Sequence, residues 1–246
     1  MKIIGVIPAR YGSSRLEGKP LVDICGKPMI WWVYQQAKKA KGLDEIYVAT
    51  DDKRIEDFCK NNKMNVVMTS SFHHTHMQRI NEFSNIIEAD AYVVICGDEP
   101  LVEPHVIEAV IPTKIDSKYL IRGAMRELID PAETIDFGNI KIITNQNGQC
   151  LSLSRIPIPY PYKSVQFKYK KTIGIECFNK KALEFFCNNE QGFWESTEDI
   201  TMLKFVENHI PIFFKLVDSS SLSVDTPKDL DKVRELIKIK LNEGKL

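Results

Sequence analysis

The first twenty residues, MKIIGVIPARYGSSRLEGKP (1–20), contain the stretch that decides the fold. Residues 3–8 form a short, continuous apolar run, which is typical of a buried strand. The polar loop that follows brings Arg10, Arg15 and Lys19 together with two glycines and two serines. Glycines let backbone N–H groups approach an anion and cations complete its cradle, so we expect a polyphosphate site here. The alternative is a basic loop that faces solvent and binds no ligand.

Downstream of this loop, predicted strands and helices alternate. The spacing of apolar residues predicts helices over 28–41, 55–61, 77–88 and 103–111, and strands over 45–49, 65–68 and 91–96. This alternation predicts an α/β fold with a doubly wound, mostly parallel sheet. Ligands of such sheets bind beyond the carboxyl ends of the strands, where the first loop lies.

The pattern changes between residues 119 and 169. Two alternating strands, over 139–144 and 149–154, flank the hairpin signal Asn147-Gly148, and a proline-rich extended stretch follows over 156–162. We interpret 119–169 as a β-rich insertion that covers the sheet or forms a dimer surface, within a single domain over 1–246. The remaining elements are predicted as a strand over 172–178, helices over 180–187 and 197–207, a strand over 210–216 and a helix over 227–241.

Composition excludes several classes of protein. The 246 residues include 33 Lys and Arg and 33 Asp and Glu, so the formal net charge is zero, and no net positive charge is available for general nucleic-acid binding. No apolar run approaches the roughly 20 residues of a membrane helix, and the apolar start is too short for a signal peptide. We therefore expect a cytoplasmic protein without membrane insertion, whose six scattered cysteines are free thiols.

Two carboxylates are candidate magnesium ligands. Asp98 follows the apolar strand over 91–96, where it either holds a divalent cation on substrate phosphates or caps the next loop. Asp225 stands in Val224-Asp225-Thr226-Pro227, a sequence that is typical of a helix start. Taken together with the basic loop and Asp98, it becomes a candidate for the second metal ligand.

Several motifs in this order resemble the 3-deoxy-manno-octulosonate cytidylyltransferase (CMP-Kdo synthetase) family. They are IPARYGSSRLEGKPLVDICGKPMI, VATDD, VVMTS, GDEPLV and VDTPKDLDKV, and the resemblance covers residues 1–112 and 137–246. It implies a Rossmann-like fold of the nucleotide-diphospho-sugar transferase type and a homodimer. It also implies Mg²⁺-dependent transfer of CMP from CTP to the hydroxyl of an acidic sugar, with release of pyrophosphate.

The resemblance also implies roles for individual residues. Arg10, Lys19 and Asp98 would be catalytic, and Asp98 and Asp225 would hold Mg²⁺. CTP would be bound by a larger set: Ala9, Arg10, Gly12, Ser13, Arg15, Lys19, His73 and Arg79. Transfer of a nucleotidyl group needs positioning and charge stabilisation rather than a protein nucleophile, so no cysteine is assigned a role.

Departures from the family cluster on the acceptor side. Of the family's His-Gln-Ser-Gly-Thr-Asp/Glu-Arg segment, only His73 and Arg79 remain, and the glutamine before Gly-Asp-Glu-Pro is Cys96. The family's Arg-His-hydrophobic-Gly-Ile-Tyr segment is Lys171-Thr172-Ile173-Gly174-Ile175-Glu176 here, so its histidine and tyrosine are lost. We expect the acceptor pocket to be lined by Cys96, Arg155, Thr172, Glu176 and Glu198.

A site with buried polar groups strongly rejects substrates that cannot pair with them, so these changes favour an acceptor other than 3-deoxy-manno-octulosonate. The candidates are another ulosonic acid, an amino-sugar acid, a phosphonate or a phosphate compound. Two further hypotheses stay open: a non-catalytic nucleotide-binding homologue, and the use of UTP or GTP. His73, His74 and His76 either line the pocket or face solvent.

Overall fold

A computed structural model describes residues 1–12, 16–163 and 167–244, so the predicted contacts of Ser13 and Arg15 lie outside the described residues. The strands are β1 (Ile3–Ala9), β2 (Asp23–Ile24), β3 (Lys27–Pro28), β4 (Glu45–Thr50), β5 (Val66–Met68), β6 (Ala91–Ile95), β7 (Ile121–Glu127), β8 (Lys141–Thr144), β9 (Cys150–Ser154), β10 (Lys170–Phe178) and β11 (Phe213–Leu216). The helices are α1 (Met29–Lys39), α2 (Lys53–Asn61), α3 (His76–Ile86), α4 (Pro104–Val110), α5 (Pro131–Ile135), α6 (Lys180–Asn188), α7 (Phe193–Glu198), α8 (Leu203–Glu207) and α9 (Pro227–Asn242).

The strands form a central sheet in the order β11–β7–β10–β6–β1–β4–β5. β1 pairs in parallel with both β4 and β6, β4 pairs in parallel with β5, and β11 pairs in parallel with β7. β10 is antiparallel to both of its neighbours, β6 and β7. The predicted mostly parallel α/β sheet is therefore confirmed, with β10 as the inverted strand.

Alternation along β1 explains why helices cover both faces of the sheet. Ile3 and Ile7 pack into a core with residues of α1, α2 and α4, whereas Ile4 and Val6 pack into a second core with residues of α3, α6 and α8. Successive side chains of a strand point to opposite faces, so one apolar strand feeds both cores. The carboxyl end of β1 is thereby held rigidly at the sheet edge where the polar loop begins.

The segment over 119–169 is part of the central sheet to a greater extent than a separate insertion would be. β7 lies inside the sheet between β10 and β11, and only β8 and β9 form the hairpin, which joins the sheet through β10. The turn is built as predicted, because Gly148 has a φ of +80° directly after Asn147. β7 can lie at this place because Ile121 and Met125 are buried in the core of one face and Ala124 in that of the other.

The helix predicted over 197–207 is wrong, because the chain forms two short helices, α7 and α8. Asp199 ends α7 in the left-handed conformation, with a φ of +51°, which stops a right-handed helix. At the other end of the molecule, α9 packs through Leu230, Val233 and Ile237 on Trp32 of α1. In the described residues we find no helix that is long and apolar enough to cross a membrane.

Candidate active site

A cleft of about 550 Å³ opens beyond the carboxyl ends of β1 and β6. The loop after β1 contributes Ala9, Arg10 and Lys19, and the loop after β6 contributes Cys96, Gly97 and Asp98. The opposite wall is formed by the start of α3, by β7 and β10, and by residues 199–202. The position of the cleft agrees with the site expected for a doubly wound sheet.

Lys19 and the two predicted metal ligands meet at one end of the cleft, which we call the nucleotide end. The Lys19 Nζ lies 2.6 Å from Asp98 Oδ2 and 3.3 Å from Asp225 Oδ1. The backbone N–H of Val224 donates to the carbonyl oxygen of Asp98 at 2.9 Å, which brings Asp225 against the loop after β6. Residues that are 206 positions apart in the chain therefore face the same point.

This pair of carboxylates fits a magnesium ion. Mg²⁺ takes oxygen ligands and is commonly held by one or two carboxylates together with substrate phosphates, and it keeps several waters. Asp98 and Asp225 supply hard oxygen donors that already converge on one cation, the Lys19 ammonium. Within the described ranges, no group of three or more His, Cys, Asp or Glu side chains could hold a metal ion, so an all-protein cage is not formed there.

Local backbone geometry shapes the two loops of the nucleotide end. Gly18 has a φ of +64° and packs against Tyr11, whose hydroxyl oxygen would lie 3.0 Å from an added Cβ atom. An added Cβ atom on Gly97 would lie 2.9 Å from the carbonyl oxygen of Pro8, so a glycine is needed for the loops after β1 and β6 to approach. On the outer side, the Arg54 guanidinium stacks 3.3 Å from the centre of the Tyr11 ring and holds the first loop against α2.

The structure brings most of the predicted nucleotide-binding residues into the cleft. Ala9, Arg10, Lys19, His73 and Arg79 all line it. Gly12 is exposed and does not line it.

Arg79 and His73 are held by protein partners at the wall of the cleft. The buried Arg79 side chain contacts Asp51 Oδ2 at 2.7 Å and the Thr69 hydroxyl, so it joins the ends of β4 and β5. His73 pairs with Glu82. Burial alone would raise the pKa of Glu82, but hydrogen bonds from the Ser70 N–H and from His73 bring that pKa below its ordinary value.

The predicted acceptor residues divide into two groups. Cys96, Thr172 and Glu176 line the cleft. Arg155 and Glu198 are not among the residues that line it, and their place in the acceptor pocket stays a prediction. The Arg155 guanidinium donates to the carbonyl oxygens of Phe137 and Asp199, and Glu198 accepts from the Ser154 hydroxyl at 2.6 Å. These two side chains tie the hairpin to α7.

The Cys96 thiol is a neutral part of the cleft wall. Burial raises its pKa well above the ordinary value, and the negative charges of Asp98, Glu176 and Glu99 act in the same direction. A thiol that stays protonated is a poor nucleophile. The expectation that no cysteine acts as a nucleophile is thus consistent with its surroundings.

Two cations at the other end of the cleft, which we call the acceptor end, were missed by the sequence prediction. Arg126 on β7 and Lys171 on β10 both line the cleft, and both contact Glu133 of α5. Lys171 also donates to Asn139 Oδ1 at 2.7 Å. Burial, together with the positive charge of Arg126, lowers the pKa of Lys171 below that of an ordinary lysine. Lys171 stands in the segment that corresponds to the family's Arg-His-hydrophobic-Gly-Ile-Tyr motif, whereas Arg126 lies on another strand and in none of the quoted motifs.

A carboxylate next to Asp98 anchors the chain that carries Asp225. Glu99 is buried, accepts from the Ser221 hydroxyl at 2.7 Å and accepts from the Gly174 N–H at 3.3 Å. Burial raises the pKa of Glu99. Four residues further along the chain, Glu103 accepts from the hydroxyls of Ser219 and Ser220 at 2.7 and 3.0 Å. The serine-rich stretch before Asp225 is thus fixed to the start of α4.

Comparisons with known proteins show the family to which the chain belongs. A family model described as Cytidylyltransferase matches residues 4–215. The 3-deoxy-manno-octulosonate cytidylyltransferase of Escherichia coli is 36% identical over 243 residues, which cover 99% of each chain. The mitochondrial 3-deoxy-manno-octulosonate cytidylyltransferase of Arabidopsis thaliana is 35% identical over 96% of this chain and 83% of its own. A solved structure of CMP:2-keto-3-deoxy-manno-octonic acid synthetase complexed with CTP matches with a TM-score of 0.90 and 34% identity, covering 98% of this chain and all of that one.

Proposed function

Since the chain belongs to the cytidylyltransferase family, we propose that it transfers CMP from CTP to a sugar acid of the 3-deoxy-manno-octulosonate type and releases pyrophosphate. The observation that carries this proposal is the convergence of Lys19, Asp98 and Asp225 at one end of a cleft whose other end holds Arg126 and Lys171. One end suits a polyphosphate with a metal ion, and the other suits an organic anion.

At the nucleotide end, charge neutralisation is the main task. The acceptor hydroxyl loses its proton to water as its oxygen forms a bond to the α-phosphorus of CTP, the bond from that phosphorus to the bridging oxygen breaks, and pyrophosphate leaves with the electron pair. Arg10 and Lys19 bind the phosphates and stabilise the negative charge that spreads during this exchange. Asp98 and Asp225 would hold Mg²⁺, which supplies further stabilisation of that charge when bound.

At the acceptor end, Arg126 and Lys171 bind the acid group of the acceptor. Both cations contact Glu133, so among the contacts of the described residues two positive charges share one carboxylate. The remaining positive charge favours an anionic ligand, and the partly buried position strengthens charge-assisted hydrogen bonds.

A homodimer is part of the same proposal. The segment over 119–169 exposes several large apolar side chains, among them Ile129, Phe137, Leu151, Ile156, Tyr160 and Tyr162. We propose that these side chains form one surface, since a large exposed apolar patch is typical of an interaction site. Sedimentation velocity at micromolar concentration should give twice the chain mass of 28.2 kDa, and a single species at the chain mass contradicts the dimer.

The central experiment measures pyrophosphate release. We expect release with CTP, Mg²⁺ and 3-deoxy-manno-octulosonate, and much slower release when UTP, GTP or ATP replaces CTP. Thermal shifts with the four nucleotides report binding independently of turnover, because a ligand that binds the folded state stabilises it. A shift with CTP without pyrophosphate release from any acidic acceptor would contradict the proposed activity and leave a nucleotide-binding protein.

A further inference from the structure

Glu176 and His76 form a contact within the wall of the cleft that lies opposite the loops after β1 and β6. The His76 Nε2 lies 3.2 Å from Glu176 Oε2, and both residues line the cleft. His76 begins α3, which follows the nucleotide-binding segment, and Glu176 lies on β10, the strand that also carries Lys171. The side chains of His76 and Glu176 are 30% and 18% exposed, so both still reach the space of the cleft.

Glu176 adds a negatively charged side chain to the cleft, in addition to the cations Arg126 and Lys171. A carboxylate offers about four acceptor sites for hydrogen bonds, and the contact with His76 uses one of them. Lys171 and Glu176 are five residues apart on β10, so their Cα atoms are at most about 17 Å apart at 3.3 Å per residue. Both side chains line the same cleft, so a sugar acid held at Lys171 through its acid group can place its other end near Glu176.

We propose that Glu176, oriented by His76, selects an acceptor that carries a protonated amine at the end remote from its acid group. This inference rests on the proposed function and narrows its acceptor to an amino-substituted sugar acid. A hydroxyl can also donate to Glu176, but an ammonium group donates with its full charge, and such charge-assisted hydrogen bonds are about twice as strong as neutral ones. A second acid group at this place would be repelled.

The test compares two acceptors that differ in one group. The probes are 3-deoxy-manno-octulosonate and its analogue in which one hydroxyl remote from the carboxylate is replaced by an amine. With saturating CTP, we expect kcat/KM of the wild type to be about 3- to 10-fold higher for the amine, because its charged hydrogen bond is about twice as strong as the neutral one that the hydroxyl makes. In Glu176→Gln, which keeps the shape of the side chain, this ratio should fall to nearly one, mainly through a higher KM for the amine.

Controls separate selection from a structural role. Glu184→Gln changes an exposed carboxylate on α6 and should keep the wild-type ratio. His76→Gln should lower the ratio less than Glu176→Gln, because an amide can still donate to Glu176. A Glu176→Gln thermal shift with CTP equal to that of the wild type shows that the variant is folded.

Each other outcome has a distinct meaning. Equal rates for the two acceptors in the wild type, or a preference for the hydroxyl, overturn the inference and leave CMP transfer intact. An equal loss for both acceptors in Glu176→Gln assigns the contact to structure alone and also overturns it. Absence of pyrophosphate release from either acceptor, with a thermal shift by CTP, overturns the proposed function itself and the inference with it.

Discussion

The nucleotide end and the acceptor end of the cleft are built in different ways. At the nucleotide end, short loops that leave the carboxyl ends of β1 and β6 deliver Lys19 and Asp98 to one point. At the acceptor end, Arg126 and Lys171 project from within β7 and β10, and Glu133 reaches them from a short helix. One end depends on loop motifs, and the other depends on the register of two antiparallel strands.

This difference separates the parts of the site that can change independently. The loops of the nucleotide end are constrained by backbone contact, as Gly97 against Pro8 demonstrates, so substitutions there disturb the phosphate site directly. Side chains on β10 alternate along a strand whose backbone is fixed by its neighbours, so they can be exchanged without moving the sheet. We infer that acceptor selection can change on β10 while the nucleotide site is kept.

The largest expected effect is the loss of a carboxylate at the nucleotide end. Asp98→Asn keeps the shape of the side chain but removes its charge from the Lys19 contact and from the proposed metal site. We expect kcat to fall about 100- to 1,000-fold, as for the removal of one preorganised electrostatic group. Pyrophosphate release at several Mg²⁺ concentrations measures this, and the apparent affinity for Mg²⁺ should fall as well.

A matched control for that change lies on α9. Asp231→Asn alters an exposed aspartate whose side chain is 73% exposed and pairs with Arg234 on the same helix. Its kcat and its Mg²⁺ dependence should remain those of the wild type. An Asp98→Asn variant with wild-type kcat would show that the carboxylates of the nucleotide end do not take part in the reaction.

The nucleotide end could be predicted from sequence, whereas the acceptor end could be predicted only in part. Arg10, Lys19 and Asp98 stand directly after apolar strands, and parallel strands bring their carboxyl ends to one edge, so sequence position indicates spatial position. Arg126 and Lys171 meet through the pairing of β7 with β10, in which Arg126 lies opposite Lys171, and this register is not visible in the sequence. The position of Arg155 close to the hairpin likewise does not reveal that its guanidinium donates to backbone carbonyls.

The next largest effect is expected at the acceptor end. Lys171→Met removes a cation but keeps an apolar side chain of similar length next to Asn139 and Glu133. We expect the KM for the acceptor to rise about 10- to 100-fold, as for the loss of a charged hydrogen bond, with the KM for CTP unchanged. Lys168→Met, at a side chain that is 71% exposed, is the control. A parallel rise of both KM values would contradict a division of the cleft into two ends.

The pH dependence of acceptor use should differ from that of CTP binding. Burial and the charge of Arg126 lower the pKa of Lys171, so this side chain loses its proton at a lower pH than an ordinary lysine does. The protonated form binds the acid group, and therefore kcat/KM for the acceptor should decline with rising pH earlier than an unperturbed lysine predicts. In Lys171→Arg the guanidinium stays protonated, so the decline should move to higher pH. An unchanged profile in that variant contradicts the assignment.

The smallest expected effect concerns the outer support of the phosphate loop. Arg54→Ala removes the cation stacked on the Tyr11 ring, a weak contact at an exposed site, and we expect about a two- to fivefold rise in the KM for CTP. Lys53→Ala, on the same turn of α2 with partners Glu56 and Asp57, should leave that KM unchanged. The acceptor KM should not respond to either change, because α2 lies behind the loop after β1 and contributes no residue to the cleft wall. An acceptor KM that follows Arg54→Ala would mean that the two ends move as one body, and the loop would then position both substrates.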